Sequence, residues 1–238
     1  AELYGALVVA TRDYVRKSGF SDVCLGLSGG VDSALVATIA ADALGPEHVH
    51  VVLMPSRYSS DHSITDALAL ASAQGLDAIT MPIEDVHQAF VGTLASTPEG
   101  GPLGLTDENL QSRIRGVLLM ARANANGWLV LTTGNKSEMA VGYATIYGDM
   151  AGGFAVIKDV PKTMVYDLAR HRNAVSESPA IPQSVLDKPP SAELRPDQTD
   201  QDSLPRYEVL DAILKAYVED DLGLDDIVGL GYDADVVR

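Results

Sequence analysis

Residues 26–33 read Gly26-Leu27-Ser28-Gly29-Gly30-Val31-Asp32-Ser33 and lie between two apolar segments of different periodicity. Upstream, Val23-Cys24-Leu25 is a short apolar run of the kind found in buried parallel strands. Downstream, residues 34–44 repeat their apolar side chains with helical spacing. The stretch therefore predicts a strand, a tight turn and a helix in that order. We call residues 26–33 the glycine loop.

The glycine loop has the composition of a turn that binds phosphate. The neighbouring glycines Gly29 and Gly30 let the backbone approach a ligand closely with free N–H groups. The N-terminus of the following helix adds unpaired donors and the positive end of its dipole. The common phosphate motifs do not fit, because no lysine follows Gly30 as in G-x-x-x-x-G-K-[ST], and G-x-G-x-x-G is absent.

Asp32 lies inside this predicted anion site. A carboxylate repels phosphate unless a hard cation lies between them, so the position of Asp32 predicts Mg²⁺ bound by carboxylate and phosphate oxygens. Ser28 and Ser33 would add hydroxyl donors. The alternative is a Gly-Gly turn in which Asp32 and Ser33 only cap the helix.

The composition narrows the class of protein. The 238 residues are 46% hydrophobic and 21% charged, which suits one α/β domain or a domain with a small appendage. The net charge of −16 argues against a nucleic-acid partner, and no apolar run is long enough to predict a membrane partner. The single cysteine, Cys24, is expected to be a buried apolar residue in a reducing compartment, the cytoplasm.

Strand and helix patterns alternate along the chain. They predict an α/β fold with a doubly wound, mostly parallel sheet and C-terminal helices. Further strands are predicted at 49–54, 78–82 and 128–132, and helices at 3–16, 61–74, 84–94, 106–124, 207–218 and 225–230. Residues 96–104 predict a Pro/Gly loop. Residues 173–205 are rich in Pro, Ser and Asp and predict a long loop.

A second polar turn, Thr132-Thr133-Gly134-Asn135-Lys136-Ser137-Glu138, follows the fourth predicted strand. Because the carboxyl ends of parallel strands share one edge of a sheet, Thr133 and Glu138 are expected to face the glycine loop across a cleft. Glu138 would then be a second Mg²⁺ ligand. The alternative is an ordinary Gly-Asn turn with Lys136 and Glu138 in solvent.

The S-G-G-x-D-S pattern resembles the pyrophosphatase loop of enzymes that split ATP into AMP and pyrophosphate. Other segments resemble NAD synthetases, specifically the synthetase part of the glutamine-dependent enzymes, and together they cover nearly the whole chain. They are Met54-Pro55-Ser56-Arg57-Tyr58-Ser59-Ser60, Glu108-Asn109-Leu110-Gln111-Ser112-Arg113-Ile114-Arg115, and the segments 143–149, 158–162 and 188–200.

The resemblance implies a single Rossmann-like domain of the adenine-nucleotide α-hydrolase kind, residues 1–238. It implies ATP-dependent amidation of deamido-NAD (nicotinic acid adenine dinucleotide) to NAD through an adenylate. The carboxylate attacks the α-phosphorus of ATP, pyrophosphate leaves, and ammonia then displaces AMP. Mg²⁺ is the implied cofactor, and no catalytic nucleophile from the protein is implied.

The resemblance also assigns site residues. The implied ATP-binding residues are the glycine loop together with Arg57, Thr133 and Lys162. The implied deamido-NAD contacts are Asn109, Arg113, Glu138 and Asp149, and the implied Mg²⁺ ligands are Asp32 and Glu138. For Arg57 and Arg113 the alternative is an ordinary surface charge, and for Asn109 and Asp149 it is helix-start or turn chemistry.

Partners follow from the same resemblance. The family's glutamine-dependent enzymes carry an N-terminal glutaminase domain, an amidohydrolase, which this chain does not contain, so ammonia is expected from such a domain, another subunit or solution. A homodimer is expected by analogy. Residues 173–205 are expected to form a lid that keeps water from the adenylate. The alternative functions are another pyrophosphatase-loop enzyme such as GMP synthetase, and a nucleotide-binding module without turnover.

Overall fold

The computed structural model describes residues 1–95 and 104–238, so the predicted loop at 96–104 lies outside the described residues except for Gly104. The described part contains five strands: β1 Val23–Gly26, β2 Val49–Leu53, β3 Asp77–Thr80, β4 Leu129–Thr132 and β5 Phe154–Ala155. All pairings are parallel, and the strand order is β3-β2-β1-β4-β5. The predicted fold class, a doubly wound α/β sheet, is confirmed.

Helices pack on both faces of this sheet. They are α1 Glu2–Lys17, α2 Val31–Leu44, α3 Asp61–Gln74, α4 Glu84–Ala95, α5 Leu105–Asn126, α6 Lys136–Ala140, α7 Lys162–Ala174, α8 Gln183–Asp187, α9 Tyr207–Leu214, α10 Leu224–Gly229 and α11 Ala234–Val237. A π-helical turn at Lys215–Glu219 extends α9. The described residues include no helix with the length and apolar character that crossing a bilayer requires.

Alternating side chains of the central strands divide the core into two layers. In β1, Val23 and Leu25 pack into the larger cluster with α1, α2 and α7, whereas Cys24 packs into the smaller cluster with α5. Cys24 is fully buried, and burial raises the pKa of its thiol to about 11. The thiol therefore stays protonated near neutral pH and behaves as the apolar residue that the sequence predicted.

The helix α2 is the most deeply buried helix of the larger cluster. Leu35 and Ile39 are fully buried, and the helix carries apolar residues on all of its faces. A helix with this pattern belongs in the interior of a protein. Its first turn, which forms the end of the glycine loop, is therefore held in a fixed position at the sheet edge.

Five of these elements were not predicted: β5, α6, α7, α8 and α11. In α7, Val165, Leu168 and Ala169 are buried at helical spacing, but most of the other residues are polar, which weakens the pattern. The predicted loop at 173–205 contains α8 and is otherwise mostly irregular. Its residues Ile181 and Val185 belong to the larger core cluster, so part of this segment is anchored in the core.

The order of the strands places the two polar turns side by side. The strand β1 pairs with β2 on one side and with β4 on the other. The strand order therefore changes direction between β1 and β4, with β2 and β3 added on one side and β4 and β5 on the other. Open α/β sheets bind their ligands at this point, outside the carboxyl ends of the strands. The glycine loop leaves β1 here, and residues 133–135 leave β4 here.

Replacing Leu35 by Ala tests whether α2 carries the core. Leu35 is 0% exposed, and removing a buried Leu side chain typically costs about 2–5 kcal/mol. We expect the Leu35→Ala variant to lose free energy of unfolding in that range, measured by urea denaturation. Leu68→Ala in α3 is the control, since Leu68 is 45% exposed. Equal losses in both variants would contradict this description of the core.

Candidate functional site

A cavity of about 290 Å³ opens at the carboxyl edge of β1 and β4. The glycine loop and the turn after β4 form two of its walls, and residues 188–194, which we call the late segment, form a third. The predicted site residues in its lining are Gly26, Leu27, Ser28, Gly30, Val31, Asp32, Ser33, Thr133, Glu138, Asp149 and Lys162. The structure thus brings most of the predicted residues together.

Backbone geometry explains why the glycine loop needs Gly29. Gly29 has a φ of +82°, in the left-handed region that disfavours side chains. A Cβ atom at this position would also lie 2.2 Å from the carbonyl oxygen of Ser63. Gly29 is absent from the cavity lining, so its contribution is to let the loop pass close to α3.

The glycine loop keeps donors available at the start of α2. The helix begins after Gly30, and no side chain caps it there. The hydroxyls of Ser28 and Ser33 lie 3.1 Å apart, and the N–H of Gly30 donates to Ser28 Oγ at 3.2 Å. Free N–H groups together with a helix dipole form an anion-binding site.

A buried cluster of opposite charges lies beside this loop. Lys162 Nζ donates to Asp32 Oδ2 at 2.5 Å and to Glu138 Oε1 at 2.9 Å. The lysine is only 2% exposed. We call these three residues the acid–lysine cluster. Asp32 lies in α2, Glu138 in α6 and Lys162 in α7. Carboxylates from two helices therefore meet the ammonium group of a third.

Asn135 connects the Asp32 carboxylate to the backbone of Glu138. Its Oδ1 accepts from the backbone N–H of Glu138 at 3.0 Å, which caps α6, and its Nδ2 donates to Asp32 Oδ1 at 2.9 Å. Asn135 is fully buried. Sequence reasoning missed it, although an Asn three residues before a Glu is a recognisable helix-start signal.

Burial shifts the protonation equilibria of this cluster. Burial and the nearby charge of Asp32 raise the pKa of Glu138 to about 7, although the ammonium of Lys162 partly opposes the shift. For Lys162, burial lowers the pKa, but the charges and hydrogen bonds of Asp32 and Glu138 outweigh burial and raise it. The lysine is therefore held in its charged form.

Asp32 and Glu138 fit a cation that is shared with phosphate. Mg²⁺ is usually bound through one or two carboxylates, with phosphate and water completing its coordination. The pair already faces one positive charge, the Lys162 ammonium. In residues 1–95 and 104–238, no group of three or more His, Cys, Asp or Glu side chains is arranged to hold a metal. The pair is therefore insufficient alone and suits an ion that arrives with a nucleotide.

Arg115 is a second basic group in the cavity that sequence reasoning did not single out. Its Nε donates to the carbonyl of Met54 at 2.9 Å, and burial lowers the pKa of its guanidinium to about 10. Among the described residues, no carboxylate forms an ion pair with Arg115. Arg115 is half-buried and the charge of Glu193 offsets its own only in part, so it favours an anionic ligand nearby.

Two predicted arginines lie outside the cavity lining. Arg57 is exposed and pairs with Glu84. Arg113 is exposed, and its Nε donates to the carbonyl of Ile146 at 3.2 Å. Their contacts with ATP and deamido-NAD stay predictions.

The remaining predicted dinucleotide residues, Asn109 and Asp149, meet at Thr145. Thr145 Oγ1 donates to Asn109 Oδ1 at 2.9 Å, and the Thr145 N–H donates to Asp149 Oδ1 at 2.7 Å. Burial raises the pKa of Asp149, although backbone hydrogen bonds oppose the shift. These contacts connect α5 to the loop after α6. Asn109 lies outside the cavity lining, and its contact with deamido-NAD also stays a prediction.

The late segment is fastened to the start of α3. Glu193 Oε1 accepts from Ser60 Oγ at 2.9 Å and from Ser63 Oγ at 2.6 Å, and Lys188 Nζ donates to Ser63 Oγ at 2.6 Å. Ser63 is also the residue whose carbonyl lies against Gly29. The late segment and the glycine loop are therefore connected through one turn of α3.

Replacing Gly29 by Ala tests the geometry of the loop. A residue in an unfavourable backbone region costs about 1–3 kcal/mol, and the clash with Ser63 adds to this cost. We expect Gly29→Ala to weaken Mg-ATP binding, measured by titration calorimetry, by about tenfold or more. The control is Gly75→Ala, because Gly75 has a φ of +67° but nothing within 4 Å of the added Cβ. Unchanged affinity in Gly29→Ala would contradict the assigned loop geometry.

The sequence is similar to known proteins along almost its whole length. The family model described as NAD synthase matches residues 3–238. A glutamine-dependent NAD(+) synthetase from Acinetobacter baylyi is 56% identical over 241 residues, covering 100% of this chain and 44% of that protein. The corresponding protein from Thermotoga maritima is 56% identical over 236 residues, covering 99% of this chain and 41% of that protein. The chain thus spans less than half the length of these relatives.

Solved structures agree with the sequence matches. A glutamine-dependent NAD+ synthetase from Acinetobacter baumannii in complex with ADP has a TM-score of 0.78 and 51% identity, covering 100% of this chain and 42% of that one. An NH3-dependent NAD synthetase from Campylobacter jejuni in complex with a nitrate ion has a TM-score of 0.78 and 29% identity, covering 99% and 89%. Of the families that the sequence analysis considered, these matches favour the NAD synthetases over GMP synthetase. Because the family model and the relatives match essentially the whole sequence, this chain belongs to the NAD synthase family.

Proposed function

We propose that this chain converts deamido-NAD to NAD with ATP and ammonia, releasing AMP and pyrophosphate. The observation that carries the proposal is the acid–lysine cluster beside the glycine loop, inside a cavity at the switch point of the sheet. Membership of the NAD synthase family supports the choice of substrates. The nucleotide would lie along the glycine loop, with deamido-NAD toward α5.

The glycine loop and α2 would hold the triphosphate. The free N–H groups at the start of α2 and the Ser28 and Ser33 hydroxyls would donate to phosphate oxygens. Asp32 and Glu138 would hold Mg²⁺, which when bound offsets the charge on the phosphates. Lys162 would neutralise the two carboxylates and place a further positive charge next to the departing pyrophosphate.

The reaction then needs positioning and electrostatics from the protein. The deamido-NAD carboxylate attacks the α-phosphorus and pyrophosphate leaves; ammonia then attacks the acyl carbon and AMP leaves with the bonding electron pair. No histidine lines the described cavity, and Cys24 is a buried, protonated thiol. A covalent enzyme intermediate is therefore not part of the proposal, and rate enhancement comes from orientation and charge.

The nitrogen source and the assembly are further proposals. The relatives called glutamine-dependent are more than twice as long as this chain, which supports an additional glutaminase domain as the source of ammonia. A homodimer and a cytoplasmic location stay predictions. A nucleotide-binding module without turnover is the second candidate, and it rests on the same cavity.

Substitution of the two carboxylates tests the reaction. We expect Asp32→Asn and Glu138→Gln each to lower AMP formation by about 100-fold or more, since each removes charge stabilisation near the reacting phosphates. Turnover is measured with Mg-ATP, ammonium and deamido-NAD, following AMP and NAD together. The control is Asp85→Asn, an exposed carboxylate in the first turn of α4.

The same assay separates the candidate functions. Product formation with xanthosine monophosphate in place of deamido-NAD would favour a GMP synthetase. Binding of Mg-ATP without AMP formation from any acceptor would favour a module without turnover. Wild-type rates in Asp32→Asn would contradict the assigned role of the acid–lysine cluster.

We propose that the late segment, the part of residues 173–205 that lines the cavity, forms a lid over the adenylate, held closed by Glu193. Opening the lid admits water, which hydrolyses the adenylate to AMP without forming NAD. Glu193→Ala is therefore expected to raise the ratio of AMP to NAD above that of the wild type. Glu177→Ala, an exposed glutamate elsewhere in residues 173–205, serves as the control. An unchanged ratio would contradict the lid.

A further inference from the structure

We propose that Asp211 of α9 is a positioning residue for the acid–lysine cluster, and this inference rests on the proposed function. Asp211 lies outside the cavity lining, and it contacts neither Lys162 nor Glu138 through a hydrogen bond of its side chain. It acts through the residues next to them in the chain, Thr163 and Ser137.

The carboxylate of Asp211 accepts hydrogen bonds from two elements. Its Oδ2 accepts from the Thr163 N–H at 2.9 Å and from Thr163 Oγ1 at 2.8 Å, at the start of α7. Its Oδ1 accepts from Ser137 Oγ, in the first turn of α6. One side chain on α9 therefore connects the two short stretches that carry Lys162 and Glu138.

The start of α7 depends on these contacts because it has no cap of its own. Its N-cap residue is Pro161, which offers no side-chain acceptor. The N–H of Lys162 donates to Ser137 Oγ at 2.9 Å, and the next N–H, from Thr163, donates to Asp211. A carboxylate at a helix N-terminus both accepts these N–H groups and interacts favourably with the dipole. Asp211 therefore supplies the cap from 48 residues further along the chain.

The same contacts set the distance between the reactive side chains. Lys162 is bonded to Ser137 through its backbone and to Glu138 through its side chain, so α6 and α7 are held together at two points. Ser137 is fully buried. Bulk water therefore cannot reach its hydroxyl without a local rearrangement. Loss of the Asp211 carboxylate would leave the Ser137 hydroxyl without its acceptor, although Ser137 Oγ would still accept from the Lys162 N–H. The helix α6 could then shift relative to α7. Residues that support ligands in this way typically change metal affinity or activity by about 10–100-fold.

A second carboxylate that contacts α7, from a different helix, provides the matched control. Asp42 of α2 accepts from Arg172 Nε at 2.6 Å and Arg172 Nη2 at 2.9 Å, near the C-terminal end of α7, and from the hydroxyl of Tyr4 at 2.6 Å. Asp42 thus holds α7 as Asp211 does, but at the end remote from Lys162. A purely structural role predicts similar effects for both residues.

The experiment compares Asp211→Asn, Ser137→Ala and Asp42→Asn. The asparagine keeps the size of Asp211 but presents one acceptor oxygen instead of two. We expect Asp211→Asn and Ser137→Ala to raise the Mg²⁺ concentration for half-maximal ATP binding by about tenfold, and to lower kcat with deamido-NAD and ammonium. Backbone hydrogen exchange should accelerate in the peptides that cover 136–140 and 161–165. Asp42→Asn should lower Tm with no change in the Mg²⁺ dependence of ATP binding. Asp211→Glu, which keeps the carboxylate, should show a smaller change in that Mg²⁺ dependence than Asp211→Asn.

Several outcomes would overturn the inference. Unchanged Mg²⁺ dependence in both Asp211→Asn and Ser137→Ala would do so, as would an equal change in Asp42→Asn. If Asp211→Asn does not fold, Ser137→Ala decides the matter alone. A wild-type chain that binds Mg-ATP but forms no AMP would overturn the proposed reaction, while the Asp211 inference would be judged on the Mg²⁺ dependence of ATP binding.

Discussion

The ammonium of Lys162 lies almost completely buried between the carboxylates of Asp32 and Glu138. Removing such groups from water costs several kcal/mol per ion, and only close pairing and further hydrogen bonds repay it. Each member of this cluster therefore requires the other two. Asn135 adds a further hydrogen bond to the Asp32 carboxylate and accepts one from the backbone N–H of Glu138. The arrangement of the surrounding turns depends on satisfying these charges.

The topology of the sheet makes this pairing possible. The strands β1 and β4 are neighbours although they are far apart in the chain, so the turns that follow them open at one edge. The larger core cluster holds α2 and α7 against the same face of the sheet, which brings their N-terminal ends to that edge. Core packing thus brings together Asp32 and Lys162, at the starts of α2 and α7.

Basic groups are present at the site although the whole chain is acidic. The net charge of −16 would repel a triphosphate at long range. The cavity nevertheless contains Lys162, Arg115, Lys188 and the N-terminus of α2, beside the carboxylates of Asp32, Glu138, Asp149, Glu193 and Asp200. A phosphate bound close to these basic groups would interact with them more strongly than with carboxylates on the distant surface. The net charge of the chain therefore says little about the ligand of this site.

The sequence by itself determined the doubly wound fold, the glycine loop and the second polar turn, because each depends on local pattern: apolar runs, glycines and helix-start residues. It also predicted that Asp32 and Glu138 would meet, since parallel strands place their following turns at one edge. The tertiary structure alone decided that Lys162 bridges these carboxylates across 130 residues of chain, that Asp211 caps α7, and that Arg115 lies in the cavity. Arg57, Asn109 and Arg113 lie outside the cavity lining for the same reason. Contacts between distant segments are set by how the core packs, and no local pattern encodes them.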